Sequence, residues 1–459
     1  MTRADTPPEH YDADDIKREH LLLDEDDDRD RFCRDYDRLV HSPAFRRLQG
    51  KTQVVSPGES DFFRTRLTHT IEVAQVARRI ASREEIGVNR DLCEASAVLH
   101  DLGHPCFAHI GEETLNEVMD CWAEKWKLSV EAVGGFNGNA QSFRLAVKSL
   151  SHSAEFRGLD LTRGVLDGAV KYPYERGTKG VPKGDSDDHW CFYPTERTQA
   201  EWVRGGVPAE RRFAQSLEAQ IVDWADDVAY SIHDVEDWYR AGFMPLEMLA
   251  AREQTRIEFA NRIKAKLAED AGIDEGDVVD ATNDLFAGGA FAGVTKAYDG
   301  SREAKQGVKQ MRSTLFDEFT KVRLRDPDGR PARHGNDLHV KPETRLKNQI
   351  LKQLLWIYVI THPRMATHQL GQARIIRELF ELHVKALKYD PVKMEIPKGA
   401  DLKIFSPDTE DTLRAAAATD KAELLRLICD HIAGMTDGYA MRLHARLTGS
   451  EPGLFNAFV

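Results

Sequence analysis

The chain has 459 residues, 41% hydrophobic and 30% charged, and its mean hydropathy of −0.50 excludes wholesale disorder and fits a soluble protein with a sizeable core. Its 63 basic and 76 acidic side chains leave a net charge of −13, which disfavours a general nucleic-acid binder, because such affinity rests on neutralising phosphates. The most apolar short stretch, Leu354-Leu355-Trp356-Ile357-Tyr358-Val359-Ile360, falls short of the ~20 residues a membrane-spanning helix needs.

No apolar leader opens the sequence, so a cytoplasmic protein is expected. Six scattered cysteines without a C-x-x-C pair argue against a zinc ribbon or a disulfide framework. Pro7-Pro8 and the acidic run Asp24-Glu25-Asp26-Asp27-Asp28 read as a tail or arm over 1–31, with order beginning near Phe32. From Phe45 to Leu150 the pattern is helical: Val73, Val76, Ala77 and Ile80 recur at helical spacing, and His69 lies one turn earlier on that inward face.

Leu99-His100-Asp101-Leu102-Gly103-His104-Pro105-Cys106-Phe107-Ala108-His109-Ile110-Gly111-Glu112 then places three histidines and two carboxylates within a few turns. Imidazole and carboxylate together form a natural ligand set for a hydrolytic divalent metal, whereas any one of these histidines alone reads more simply as a packed or capping residue. Trp122 and Trp126 are candidates for an oligomer interface or for burial in their own core. The Gly-, Pro- and Asp-rich text around 174–210 reads as a long flap.

Helical text resumes at Phe213. There Asp226, Tyr230 and Asp234 fall at i, i+4 and i+8 as one polar stripe among apolar residues, while Glu236 and Asp237 read as a solvated face. After the break Asp326-Pro327-Asp328-Gly329-Arg330-Pro331, Lys347–Val359 and Gln372–Lys388 are again amphipathic, and the basic Lys321, Arg323 and Arg325 read as solvated. The expectation is an all-α protein with a helical core over 32–240 that includes the flap, and a helical region over 241–459 packed on it.

Taken together, His69, His100-Asp101 and Asp226 resemble the H…HD…D signature of the HD superfamily of metal-dependent phosphohydrolases. Phe45-Arg46-Arg47-Leu48, Lys51-Thr52-Gln53-Val54, Arg66-Leu67-Thr68-His69-Thr70, Gly138-Asn139-Ala140-Gln141-Ser142-Phe143-Arg144, Leu161-Thr162-Arg163 and Lys171-Tyr172-Pro173 narrow the resemblance to the bacterial dGTPase-like dNTPase family. One departure is Asn137, where that family usually carries an acidic residue.

The resemblance implies an HD-domain fold that cleaves a deoxynucleoside triphosphate into deoxynucleoside and inorganic triphosphate. It implies His69, His100, Asp101 and Asp226 as ligands of a divalent ion (Mg, Mn, Fe or Zn), His109 with Glu112 as the catalytic pair, and His104 as a neighbour of that pair. It further implies Gln53 and Asp234 at the deoxyribose, Tyr230 where a 2′-hydroxyl would sit, Arg66 and Lys171 at phosphates, and Asn139 nearby. A dNTP effector and a homo-oligomer, commonly a hexamer, belong to the same expectation. Two alternatives stand beside it: an HD phosphohydrolase acting on another nucleotide, and a nucleotide sensor or single-stranded nucleic-acid binder with a vestigial site.

Overall fold

The computed structural model describes residues 8–20, 29–53, 63–181, 187–271, 273–329, 333–361, 363–390 and 392–450. Val54 and residues 182–186 of the flap therefore lie outside the described residues, as does part of the N-terminal arm. The chain is built almost entirely of helices. The first group runs α1 (Arg31–Val40), α2 (Pro43–Arg47), α3 (Arg66–Ala81), α4 (Arg90–His100), α5 (Ala108–Lys125), α6 (Val130–Val133), α7 (Gly138–Arg144), α8 (Arg163–Gly168), α9 (Arg197–Arg204) and α10 (Leu217–Arg240). The second runs α11 (Leu246–Ala251), α12 (Glu253–Ala271), α13 (Glu275–Ala287), α14 (Arg302–Phe319), α15 (Pro342–Leu355), α16 (Pro363–Leu387), α17 (Pro407–Thr419), α18 (Lys421–Ala433) and α19 (Asp437–Leu447). Two-residue strands β1 (Arg323–Leu324) and β2 (Leu338–His339) pair antiparallel.

Helix starts follow local chemistry. The side chains of Thr65, Asn89, Ser216 and Thr436 each accept a first-turn N–H, at the N-termini of α3, α4, α10 and α19; such caps contribute about 1 kcal/mol apiece. On α3 the expected face is the buried one, with Val73, Ala77 and Ile80 inside and His69 beside them.

The apolar residues form two principal cores. One gathers α3, α4, α8, α10, α14 and α15, through Val73, Leu99, Val165, Val228, Leu315 and Leu351 among others. The other joins α5 to the C-terminal helices through Phe107, Leu115, Met119, Ile376, Phe380, Leu424 and Ile428. Trp122 and Trp126 are half-buried against this second core, with Trp126 stacked obliquely on Tyr389 at 5.1 Å between ring centroids, so their packing is intramolecular. Arg323 and Arg325 are exposed, as expected, and Lys321 pairs with Asp317 one turn away.

Three expectations need correction. Order begins well before Phe32: Tyr11 and Ile16 are buried in the first core, and the Tyr11 hydroxyl donates to Glu218 Oε1 at 2.6 Å. Apolar side chains at those two positions are enough to pin the arm. Next, the described part of the 174–210 flap is more than a connection: Tyr174, Trp190 and Tyr193 form a small core and 197–204 are helical. The Tyr193 hydroxyl donates to Asn137 O at 3.0 Å, and the Arg426 guanidinium lies 3.7 Å from its ring centre.

Lastly, Glu236 and Asp237 are buried, at 0% and 4% exposure. Arg64 binds both, and Arg240 and Arg312 add to Glu236. A cationic partner stabilises a charged carboxylate out of water, and Arg64 arrives from 172 positions away, out of reach of any local pattern.

The two halves are tied by a buried ionic knot. Arg144 Nη2 lies 2.9 Å from Glu423, its Nε lies 2.8 Å from Asp430, and its Nη1 lies 2.5 Å from the fully buried Glu196. Removing Arg144 strips Asp430 of this cation and leaves the buried Glu196 to Lys148, 3.5 Å away. Arg144→Ala is therefore expected to cost about 3–5 kcal/mol, read as a lower urea midpoint at unchanged m-value.

Candidate active site

The site begins with the α4 C-terminus. His100 ends that helix, and its Nδ1 faces Ala97 O, which turns Nε2 toward α3 and α10. Asp101 follows as the cap residue. The turn after it is tight: a Cβ at Gly103 would lie 2.1 Å from Ser142 N, so only glycine lets α7 approach. Ser142 Oγ accepts from Gly103 N at 2.9 Å and donates to His100 O at 2.8 Å, fixing the turn from α7.

His69, His100 and Asp101 are all buried, and their ligand atoms lie within 4.8 Å of one another. Asp226 Oδ1 on α10 completes the group, 3.1 Å from His69 Nε2 and 3.8 Å from His100 Nε2. His100 Nε2 is buried without a hydrogen-bond partner, a costly arrangement unless something else takes its lone pair. Two imidazoles and two carboxylates converging on one point fit a divalent cation.

Two cations brace the carboxylates. Arg66 Nη1 lies 2.8 Å from Asp101 Oδ1, and Lys171 Nζ lies 2.7 Å from Asp223 and 3.4 Å from Asp226. Burial pushes the Asp101 carboxyl up, but Arg66 and the neighbouring histidines outweigh it and hold it well below the usual carboxylate range. Asp226 is likewise depressed, with Lys171 and His69 overcoming burial.

A cleft of about 510 Å³ opens over this cluster. Its lining includes Gln53, Arg66, His104, His109, Glu112, Asn139, Lys171 and Tyr230 together with His69, His100, Asp101 and Asp226. Gln53 Oε1 is buried and has no hydrogen-bond partner among the described residues. Asp234 is the exception: it sits one turn beyond Tyr230, 6% exposed and outside the lining, with Oδ2 unpartnered and its carboxyl pushed by burial up to about 7.

The two histidines of the 104–109 stretch differ in surroundings. His104 Nδ1 lies 2.8 Å from Asp101 Oδ1, and its ring packs under Gly138, so it is occupied with the ligand carboxylate. His109 opens α5 at the cleft mouth, with its side chain 77% exposed and Nδ1 3.8 Å from Glu112 Oε2. The Glu112 carboxylate beside it raises the His109 pKa above the ordinary histidine value. Burial would raise the Glu112 carboxyl, but His109 and His104 pull it down to about 2, and Gly138 N donates to its Oε1 at 2.7 Å.

Asn137 caps α7, its Oδ1 accepting from Asn139 N at 2.9 Å and from Asn139 Nδ2 at 3.0 Å. An amide oxygen serves here as a carboxylate would, which accounts for the departure from the acidic residue. Sequence reasoning missed several lining residues. His189 comes from the flap and stacks on Tyr172 at 4.9 Å; its only signal is the aromatic run that follows it. Trp356, His368, Gln369 and Gln372 come from the C-terminal half and carry no motif.

An all-helical core presenting His69, His100-Asp101 and Asp226 is the arrangement of an HD-domain phosphohydrolase. The HD domain family matches residues 66–231, and the phosphohydrolase-associated domain matches residues 338–446. A deoxyguanosinetriphosphate triphosphohydrolase-like protein of Streptomyces coelicolor is 36% identical over 457 residues, spanning 96% of this chain and 98% of the relative. Proteins of the same description from Geobacter metallireducens and Corynebacterium efficiens are each 33% identical, covering 92% and 94% of this chain and 89% and 95% of the relatives. The chain belongs to the deoxyguanosinetriphosphate triphosphohydrolase-like family. No helix among the described residues is long and apolar enough to cross a membrane.

Proposed function

We propose that the protein hydrolyses deoxynucleoside triphosphates to deoxynucleoside and inorganic triphosphate. One observation carries the reading: a single cleft holds the His69–His100–Asp101–Asp226 cluster, the His109–Glu112 pair and the unpartnered Gln53 Oε1. The relatives' shared description points the same way.

The four ligand residues would hold Mg, Mn, Fe or Zn, which when bound screens the triphosphate charge and polarises the α-phosphate. Water attacks the α-phosphorus, a new P–O bond forms, and the bond to the 5′-oxygen breaks. That oxygen leaves as a hydroxyl only if it gains a proton, and His109 supplies it, with Glu112 orienting the ring. His104 holds Asp101, while Arg66 and Lys171 keep positive charge at the phosphates. Gln53 and Asp234 serve the deoxyribose, and Tyr230 fills the place of a 2′-hydroxyl. Asn139 lies beside this group. A dNTP effector, a hexameric assembly and a cytoplasmic location complete the proposal.

If protonated His109 is the acid, activity falls as pH rises through its pKa, which Glu112 has moved above the ordinary value near 6.5. Glu112→Gln removes that support, so the alkaline limb of the kcat profile is expected to move to lower pH. A profile measured from pH 5 to 9 at saturating metal checks this.

The deciding experiment incubates metal-loaded protein with each of the four dNTPs, alone and mixed, and resolves the products. Deoxynucleoside with intact triphosphate supports the proposal and reveals base preference and cross-activation together. Orthophosphate or pyrophosphate alone points to a different phosphohydrolase reaction, and binding without turnover points to a sensor.

A further inference from the structure

One side chain of the C-terminal region braces two segments of the active site from behind. Asp437, in the first turn of α19, is 1% exposed, and its two oxygens are filled by other segments of the chain. Oδ2 accepts from Thr52 N at 3.0 Å and from the Thr52 hydroxyl, while Oδ1 accepts from Phe107 N at 3.0 Å. An aspartate at a helix start commonly serves its own helix. Here Thr436 caps α19, which leaves both Asp437 oxygens for the partners across the interface.

Each partner abuts a functional residue. Thr52 precedes Gln53, and its carbonyl oxygen accepts from Arg66 Nε at 3.4 Å, the arginine that braces Asp101. Phe107 leads into His109. Phe107 and Ala108 have φ of +64° and +51°, a left-handed conformation that non-glycine residues rarely adopt without external support. The start of α5 is equally constrained, since a Cβ at Gly111 would lie 1.9 Å from Cys106 O. Beside Asp437, Lys51 Nζ donates to His104 O at 2.5 Å and to Ala433 O at 3.0 Å, joining the same three segments.

We propose that Asp437 is a positioning residue that sets the Gln53 and His109 segments against the metal cluster, an inference that rests on the dNTP-hydrolysing reading. Three donors converge on one carboxylate. An asparagine offers one acceptor oxygen and turns an NH2 group toward a donor, so it cannot hold both segments. Among the described residues, the hydrogen bonds of Asp437 go to Thr52 and Phe107 and not to the proposed metal ligands, whose carboxylates Arg66 and Lys171 brace directly.

In the full-length protein, Asp437→Asn is expected to retain the parent's helical content and divalent-metal content. Its kcat for dNTP should fall on the order of ten- to a hundredfold, with a smaller change in KM, as a shift of reacting groups by about 1 Å would produce. Thr52→Val, which removes only the hydroxyl, should lower kcat less and in the same direction, and Thr52→Ser should restore it. Parent kcat in Asp437→Asn overturns the proposal. So does a loss that tracks metal or folded protein while Thr52→Val works at the parent rate.

Hydrogen exchange gives a readout independent of turnover. Faster exchange in peptides spanning 48–53 and 104–112 of Asp437→Asn, with those of α3 and α10 unchanged, supports the proposal, and unchanged exchange in both overturns it. If the parent hydrolyses no dNTP, the functional reading fails, and exchange alone judges the positioning role.

Discussion

Asp101→Asn is expected to empty the site of metal and to reduce turnover on the order of a thousandfold or more. Lewis-acid stabilisation by a bound divalent ion is worth several kcal/mol, and each ~1.36 kcal/mol is a factor of ten in rate. The substitution preserves size and leaves an oxygen for Arg66, whose Nη1 lies 2.8 Å from Asp101 Oδ1, so the fold should survive. Metal analysis of the purified protein, run beside a thermal melt and a product assay, separates the two effects. Full metal content with parent turnover would contradict the assignment of the cluster.

His109→Ala is expected to behave in the opposite way toward metal. Its side chain is 77% exposed at the cleft mouth and contacts Glu112 rather than a ligand residue, so metal content should stay at the parent level. Loss of a general acid costs on the order of a hundred- to ten-thousandfold, and it should appear in kcat with KM little changed. Stability should move by no more than about 0.5 kcal/mol, as for other exposed positions. Comparing His104→Ala distinguishes the two histidines: His104 touches Asp101, so its loss should disturb metal affinity as well as rate.

The parts of the site that were legible lie within single helices. Spacing alone put His69 on the inward face of α3 and aligned Asp226, Tyr230 and Asp234 along α10, because helical geometry relates neighbours three and four residues apart. The absence of alternating strands likewise pointed to an all-α fold, and the two short strands β1 and β2 do little to change it.

What escaped was fixed by contacts between distant segments. Glu236 and Asp237 look like a solvated face until Arg64 is placed over them. Tyr11 looks like part of a polar tail until its hydroxyl meets Glu218. Thr52 and Asp437, separated by 385 positions, share no periodicity that could announce their hydrogen bond. Gln372 and His368 sit on an ordinary amphipathic helix, and only the approach of α16 to the cleft gives them a wall to form.

The two apolar cores divide the candidate site between them. His69, His100, Asp101 and Asp226 are carried by helices of the first core, whereas His109 and Glu112 ride on α5, whose Leu115 and Met119 pack into the second. The site thus straddles a seam, and the distance between the proposed proton donor and the proposed metal ligands depends on the registry of two packed cores. A perturbation that slides one body on the other would silence turnover while both remained folded and the metal stayed bound. Under the proposed mechanism, activity is expected to be lost before secondary structure and before metal.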